Sequence, residues 1–265
     1  MLEVDRPRRH GHRGRAKSDS LDALRAARSA LAGTPLALPR AAGTREAMRV
    51  LLTTREAAVA VRRSGLSQLR AHLISAPEQL RERLRGLPPA TLLRRCASLR
   101  PDRRQPSEMR ATVLALRSCA RRIDAATREA AALERELQQL VHELAPHLLN
   151  QTGIGTICAA QLLIAWSHPG RLRSEAAFAR LAGVAPLPAS SGKLIRHRLD
   201  RGGDRQLNRA LHTIVLTRRR CDPDTIAYLT RRKAEGKTDR EAIRCLKRYL
   251  ARSIYRRLET TPTTT

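Results

Sequence analysis

Residues 109–144 read MRATVLALRSCARRIDAATREAAALERELQQLVHEL, and their apolar side chains recur in alternating steps of four and three. The stripe consists of Met109, Val113, Leu116, Ala120, Ile123, Thr127, Ala130, Leu137, Val141 and Leu144, and Glu134 interrupts it. About five heptads of this spacing predict a coiled coil or a long helical hairpin. The stripe would serve either self-association into a homo-oligomer or packing against another helix of the same chain.

Outside this stripe, helix signals also dominate. Acidic residues in a first turn predict a helix that begins near Asp19, and a segment rich in Ala, Leu, Arg and Glu predicts a long one from Thr44 to about Ser75. Prolines then divide the chain into shorter helices at Pro77, Pro88, Pro89 and Pro101. Strand signals are sparse, so the predicted fold class is mainly α.

The composition indicates what kind of partner the protein binds. The chain has 52 Lys and Arg against 24 Asp and Glu, a net charge of +28, which predicts a polyanionic partner. The sequence has no apolar run long enough for a transmembrane helix, no secretory signal and five scattered cysteines, so we expect a cytoplasmic protein without disulfides or zinc. Aromatic residues at 2% argue against base stacking as the main binding mode.

A glycine turn lies between two apolar segments just after the stripe. Gly153-Ile154-Gly155 follows a short helical segment, and Thr156 begins the next one. This pattern resembles a helix-hairpin-helix, in which glycines let backbone N–H groups approach a phosphate of double-stranded DNA without reading its sequence. The alternative is an ordinary packing turn between two helices.

A serine-containing segment precedes a dense run of cations. Ser190 and Ser191 stand before Gly192, and either could be a nucleophile. The cations that follow are Lys193, Arg196, Arg198, Arg201, Arg205 and Arg209. Arginine is well shaped to hold a phosphate, so the segment suits attack on a phosphodiester, with a solvated basic loop as the alternative. No His and Asp spacing supports a hydrolase triad.

Two carboxylates lie near the N-terminus. Asp19 and Asp22 are three residues apart and share one helix face, where they could hold Mg²⁺ together with phosphate oxygens. Two carboxylates are too few for a two-metal site. The alternative is that they are acidic residues of the first turn of an ordinary helix.

These motifs, in this order, resemble the DEDD/serine insertion-sequence transposases, the one-ten family of bridge-RNA-guided recombinases. The resemblance rests on residues 17–23 (KSDSLDA), on Gly153-Ile154-Gly155, on residues 178–186 (FARLAGVAP) and on residues 190–193 (SSGK). It implies that Ser191 is the nucleophile, with Ser190 the adjacent alternative. It further implies that the cations after Gly192 hold phosphates and that Asp19 and Asp22 help bind Mg²⁺. A guide RNA would be a partner, different protomers would build the site, and the protein would be bacterial and nucleoid-associated.

The resemblance also implies a β-rich, RuvC-like front half, which does not precede Lys17. We therefore expect an N-terminally truncated transposase with reduced or no activity. The alternatives are a non-catalytic DNA- or RNA-binding protein and a dominant-negative partner of a full-length transposase. The predicted divisions are the end of a RuvC-like domain plus linker (1–42), a helical or coiled-coil region (43–147), a transposase domain (148–258) and a disordered tail (259–265).

Overall fold

The computed structural model describes residues 19–32, 38–188, 197–198, 200 and 202–260. These residues form eleven helices and two short strands, which confirms the mainly α fold class. The elements are α1 (Asp19–Leu31), α2 (Thr44–Ile74), α3 (Glu78–Leu84), α4 (Pro89–Ser98), α5 (Ser107–Leu144), α6 (Pro146–Leu149), α7 (Thr156–Trp166), α8 (Glu175–Leu181), β1 (Leu187–Pro188), β2 (His197–Arg198), α9 (Arg205–Cys221), α10 (Pro223–Ala234) and α11 (Asp239–Thr260). No helix in the described ranges is long and apolar enough to cross a membrane.

The chain divides into two compact units. One is Met48–Val141; the other joins the described residues up to Ala47 to those from His142 onward. The first contains most of the two long helices and the short helices α3 and α4. The second contains the hairpin glycines and the cations of α9.

In the Met48–Val141 unit, α2 and α5 run antiparallel. Arg55, early in α2, pairs with Glu134, late in α5, at 2.7 Å. Further along α2, a Cβ built on Gly65 would lie 2.8 Å from Cγ1 of Ile123, so the absent side chain lets the helices approach closely here. The stripe therefore packs against another helix of the same chain, in a helical hairpin. Homo-oligomerisation through it stays a prediction.

The stripe of α5 is buried nearly as predicted. Its fully or almost fully buried members are Val113, Leu116, Ala120, Ile123, Ala130, Leu137, Val141 and Leu144. Thr127 is wrongly predicted: it is exposed, its hydroxyl donates to the carbonyl of Ile123 at 2.7 Å, and Ala126 is buried in its place. Successive residues of an α-helix are about 100° apart, so positions 126 and 127 lie on opposite edges of the buried face, and the apolar alanine is the one that is buried. The Glu134 interruption is explained by its ion pair with Arg55.

Prolines set the two short helices that connect α2 to α5. Pro77 lies just before α3, and Pro88 lies just before α4. Helix α4 itself begins with Pro89, whose fixed φ suits a first helical turn. Apolar residues of all four helices join in one cluster, which includes Leu69, Leu80, Cys96, Leu116 and Ile123. The connection is thus part of the core of this unit.

In the other unit, α7 is the central helix. Every residue from Cys158 to Trp166 is buried, as expected for a helix that is apolar on all sides. It packs against α9, while α11 packs against α8, α9 and α10. The indole N–H of Trp166 donates to Glu259 at 2.7 Å, and the Arg45 guanidinium lies 5.8 Å from the indole ring.

The end of α11 differs from the predicted tail. Glu259 and Thr260 were expected to belong to a disordered segment, yet both are helical. The Glu259 carboxylate fixes this last turn because it accepts from the Trp166 indole and from the backbone N–H of Gly170 at 3.2 Å. Residues 261–265 lie outside the described ranges.

Side-chain caps begin most helices of this unit. Ser174, Asp204 and Asp222 accept from backbone N–H groups in the first turns of α8, α9 and α10. Thr238 and Glu241 form a reciprocal capping box at the start of α11. The start of α7 lacks such a cap, and it belongs to the predicted hairpin.

Candidate nucleic-acid interface

The turn between α6 and α7 lies against α9. Gly153 has φ +80°, in the left-handed region that glycine adopts without strain. A Cβ built on it would lie 3.1 Å from the carbonyl oxygen of Ile214 and 3.2 Å from Cγ of Arg218. The guanidinium Nε of Arg218 donates to the carbonyl of Thr152 at 2.7 Å. The first glycine of the predicted hairpin is therefore needed for a close approach to α9.

The second glycine leaves the start of α7 open. Gly155 is the N-cap residue, with extended backbone and no side-chain hydrogen bond to the first turn. No described atom lies within 4 Å of a Cβ built on Gly155. The N–H groups of the first turn, beginning with Thr156, have no intrahelical partner and carry the positive end of the helix dipole. This end of α7 can receive a phosphate oxygen.

Two of the predicted phosphate-binding arginines lie on one exposed face of α9. Arg205 and Arg209 are one turn apart and both are exposed. Burial raises the pKa of the Cys158 thiol, and the nearby charge of Arg209 partly opposes that rise. Cys158 lies in the first turn of α7, and its Sγ is 3.8 Å from the carbonyl of Ala210. The first turn of α7 thus packs against α9 next to Arg209.

A glycine contact closes the base of the segment that carries the serines. Gly183 follows α8 with φ +62°, and Gly203 precedes α9. A Cβ built on Gly203 would lie 2.5 Å from Cα of Gly183 and 2.8 Å from the carbonyl oxygen of Leu181. The backbone N–H of Asp204 donates to that same carbonyl at 2.6 Å. This contact and the two-stranded ribbon of β1 and β2 together are called the stem.

The ribbon continues the stem toward the serines. β1 and β2 are antiparallel, with Leu187 opposite Arg198 and Pro188 opposite His197. This pairing places Arg198 by its backbone; its side chain is not among those described. The other predicted residues of the segment lie outside the described ranges: Ser190, Ser191, Lys193, Arg196 and Arg201.

A buried polar chain holds the stem to α11, and sequence reasoning missed it. The Asn208 side-chain amide donates to the carbonyls of Ala182 and Gly183 at 2.7 and 3.3 Å. The ammonium of Lys247, 6% exposed, donates to Asn208 Oδ1 at 2.8 Å. Burial, and secondarily the charge of Arg244, lowers the pKa of Lys247. The available signal was a lysine in a chain that uses arginine almost everywhere.

The predicted metal ligands lie on α1. Asp19 is exposed, and the side chain of Asp22 is not described. Among the residues that the structure describes, no group of three or more His, Cys, Asp or Glu side chains could hold a metal ion. Two carboxylates of one helix leave most of an octahedral Mg²⁺ shell to other ligands. Mg²⁺ binding at Asp19 and Asp22 therefore stays a prediction.

The site therefore combines an open helix N-terminus, two exposed arginines and a glycine-closed stem, and the first two of these suit contact with a polyanion. Residues 145–230, which contain all three, match the model of the transposase IS116/IS110/IS902 family. The matched segment includes the hairpin, the stem, α9 and most of α10.

Two curated proteins are similar to this chain. One is the insertion element IS110 uncharacterized 43.6 kDa protein of Streptomyces coelicolor, 36% identical over 115 residues, which are 42% of this chain and 28% of the relative. The other is the insertion element IS900 uncharacterized 42 kDa protein of Mycobacterium paratuberculosis, 35% identical over 111 residues, 40% of this chain and 27% of the relative. The chain thus spans less than a third of the length of these relatives.

Proposed function

We propose that this chain acts in DNA transposition as a protein that binds duplex DNA and attacks one of its phosphodiesters with a serine. The family match over residues 145–230 supports transposition as the process. The observation that carries the residue-level proposal is the stem, because Gly183 and Gly203 hold the two ends of the serine segment in backbone contact. A closed base suits a serine segment that presents a nucleophile to bound DNA.

DNA binding is assigned to the hairpin and the cations. The first-turn N–H groups of α7, behind Gly155 and Thr156, would receive one backbone phosphate. Arg205 and Arg209 on α9 would hold neighbouring phosphates. By resemblance, Lys193, Arg196, Arg198 and Arg201 would surround the phosphate that reacts. These contacts read the backbone, so they bind without choosing a sequence.

The proposed reaction proceeds through a phosphoserine. The Oγ of Ser191, or of Ser190, attacks phosphorus, an Oγ–P bond forms, and the P–O bond to the leaving deoxyribose oxygen breaks. The serine proton passes to that leaving oxygen or to solvent. A hydroxyl of an incoming strand then attacks the same phosphorus and releases the serine. The flanking cations would stabilise the charge that develops on the phosphoryl oxygens.

A covalent adduct tests this chemistry. The purified chain is incubated with end-labelled duplex DNA, Mg²⁺ and the RNA that co-purifies with it, and adducts that survive detergent are resolved on a gel. We expect an adduct that Ser191→Ala abolishes while DNA binding is unchanged, with Ser190→Ala as the matched control. Loss of the adduct in Ser190→Ala alone would move the nucleophile to Ser190. An adduct that survives in both variants and in the double variant contradicts a serine nucleophile.

A second candidate is a DNA-binding protein without chemistry. The open N-terminus of α7 and the exposed face of α9 favour it, since neither needs a reactive serine. Binding with no adduct under any of these conditions would support it. The guide RNA, Mg²⁺ at Asp19 and Asp22, and homo-oligomerisation belong to the proposal by resemblance.

Salt dependence tests the binding that both candidates share. Neutralising phosphates releases counterions, so affinity should fall linearly on a log–log plot against salt. Arg209→Ala should weaken binding to all duplex sequences alike and reduce the slope by about one. The control is Arg128→Ala, which changes an exposed arginine of α5. A flat salt response of the parent protein would contradict the interface.

A further inference from the structure

Helices α9, α10 and α11 line a cavity of about 520 Å³ that is open to solvent. Val215, Leu246 and Leu250 supply apolar lining, and Arg218, Tyr228 and Tyr249 supply polar and aromatic lining. We propose that this cavity binds one unpaired nucleotide of the nucleic acid that the hairpin holds. The proposal deepens the proposed function, because it assumes that a duplex is bound nearby.

The aromatic residues carry the first part of the argument. The chain has one Trp, one Phe and three Tyr, and two of those three tyrosines line this cavity. The rings of Tyr228 and Tyr249 meet edge to face, with centroids 5.7 Å apart. Tyr249 is 53% exposed, so much of its ring is accessible to a bound base. It offers a platform for a base.

Tyr228 supports that platform. The guanidinium groups of Arg231 and Arg232 lie 5.4 and 5.8 Å from the centre of its ring. Arg232 also donates to Glu235 at 2.6 Å, which fixes its position. Cation–π contacts therefore hold Tyr228, which in turn holds Tyr249 from the side. A base can stack on Tyr249 without a rearrangement of Tyr228.

The charges of the lining fit a nucleotide. Arg218 and Arg231 can receive its phosphate, while Asp222 and Asp224 can accept from amino groups on a base edge. Asp222 already accepts from the backbone N–H of Thr225 at 3.0 Å, so this carboxylate is held in place. A lining with both charge signs and two rings suits a nucleotide better than an isolated phosphate or an apolar ligand.

Arg218 places the cavity beside the hairpin. Its Nε donates to Thr152 at 2.7 Å in the turn that precedes α7, and the same side chain lines the cavity. A strand that leaves a duplex held at the start of α7 would therefore pass the cavity. The occupant is the nucleotide at the point where paired and unpaired nucleic acid meet.

A forked substrate tests the proposal. The probe is a DNA duplex with a single-stranded arm that carries 2-aminopurine at the first unpaired position, and a matching probe has the arm in RNA. A blunt duplex of the same length is measured in parallel. Stacking of one base contributes enough for Tyr249→Ala to weaken binding of the preferred fork by roughly tenfold. Binding of the blunt duplex should not change.

Tyr249→Phe keeps the ring and should retain fork binding together with quenching of the 2-aminopurine fluorescence. Ile226→Ala changes an exposed apolar residue of α10 that does not line the cavity, and it should behave as the parent. Tyr249→Ala should weaken binding of one probe more than the other, and that probe shows whether the cavity takes a nucleotide of DNA or of RNA.

Equal fork binding by Tyr249→Ala and the parent would overturn the cavity proposal. So would an equal loss on the blunt duplex, or a failure of Tyr249→Phe to restore binding. Failure of the parent to bind the blunt duplex contradicts the proposed function instead, and the two failures are thus distinguishable.

Discussion

The helical hairpin of α2 and α5 and the stem below the serine segment are held together in opposite ways. In the hairpin, a stripe of apolar side chains is buried along the whole of α5, and each member contributes a share. In the stem, two glycines meet backbone to backbone, and one buried Asn–Lys chain secures them. The first is a distributed contact and the second depends on very few atoms.

This difference predicts how each region tolerates change. A distributed apolar contact loses stability in proportion to the side chain removed. A backbone contact between Gly183 and Gly203 has no room for any side chain, so the smallest addition disrupts it. The region assigned to the chemistry is therefore the more sensitive of the two.

Gly203→Ala should have the largest effect. The added methyl group would overlap backbone atoms of Gly183 and Leu181. Backbone atoms cannot move to another rotamer as a side chain can. We expect a loss of about 3 kcal/mol or more in the free energy of unfolding, at the upper end of overpacking effects. The fluorescence of Trp166, the one tryptophan, follows unfolding of this unit in urea.

Gly202→Ala is the matched control, because its built Cβ meets only a carboxylate oxygen of Asp200, at 3.3 Å. That variant should stay close to the parent in stability. If Gly203→Ala were as stable as Gly202→Ala, the glycine contact would not close the stem.

Leu116→Ala tests the distributed contact. Leu116 is fully buried in the cluster that joins α2, α3, α4 and α5, so its truncation should cost about 3 kcal/mol. Circular dichroism of urea unfolding follows the helices of both units, so the loss should appear in the dichroism and not in the fluorescence of Trp166, which lies in the other unit. Leu114→Ala, on the same helix but 48% exposed, should cost far less. Equal costs would contradict the burial of the stripe.

The α5 helix could be predicted from the sequence because burial along one helix face leaves a period in the chain. The stripe predicted every buried position of α5 except Cys119 and Ala126, and Ala126 is buried where the stripe predicted Thr127. The interruption at Glu134 could not be explained beforehand, since its partner Arg55 is 79 residues away in the chain.

The candidate site could be predicted only in part. Gly153, Gly155 and the α9 arginines carry local signals, and the structure packs Gly153 against α9, the helix that bears Arg205 and Arg209. The partners Gly183 and Gly203, or Asn208 and Lys247, are joined by tertiary contacts that leave no period and no spacing in the sequence. Ser190 and Ser191 lie outside the described residues, and their roles stay predictions.

Substitutions at Asn208 and at Lys247 should lower the free energy of unfolding by different amounts. Asn208→Ala leaves a buried ammonium without its hydrogen bond, and we expect a cost of about 2 kcal/mol. Lys247→Met removes the charge and keeps the Asn208 bonds to Ala182 and Gly183, so it should cost less. In a double-mutant cycle by urea unfolding, adding Lys247→Met should partly rescue Asn208→Ala. Strict additivity would show that the two side chains do not act as a chain.

The smallest effect is expected where α8 meets α11, at Glu175. Burial raises the pKa of this carboxyl, but hydrogen bonds and charges from Arg252 and Arg256, at 2.7 and 3.1 Å, outweigh it and hold the pKa below its ordinary value of 4.5. A carboxyl whose pKa is lower in the folded state than in the unfolded state stabilises the fold at pH values above its unfolded-state pKa. This contribution is lost as the pH falls through the folded-state pKa. Glu175→Gln should therefore be less stable than the parent at neutral pH, and the gap should close in acid. Glu136→Gln, on an exposed position of α5, is the control. A gap that stays constant with pH would mean that Glu175 acts through packing, and that charge adds nothing to the helix that leads into the stem.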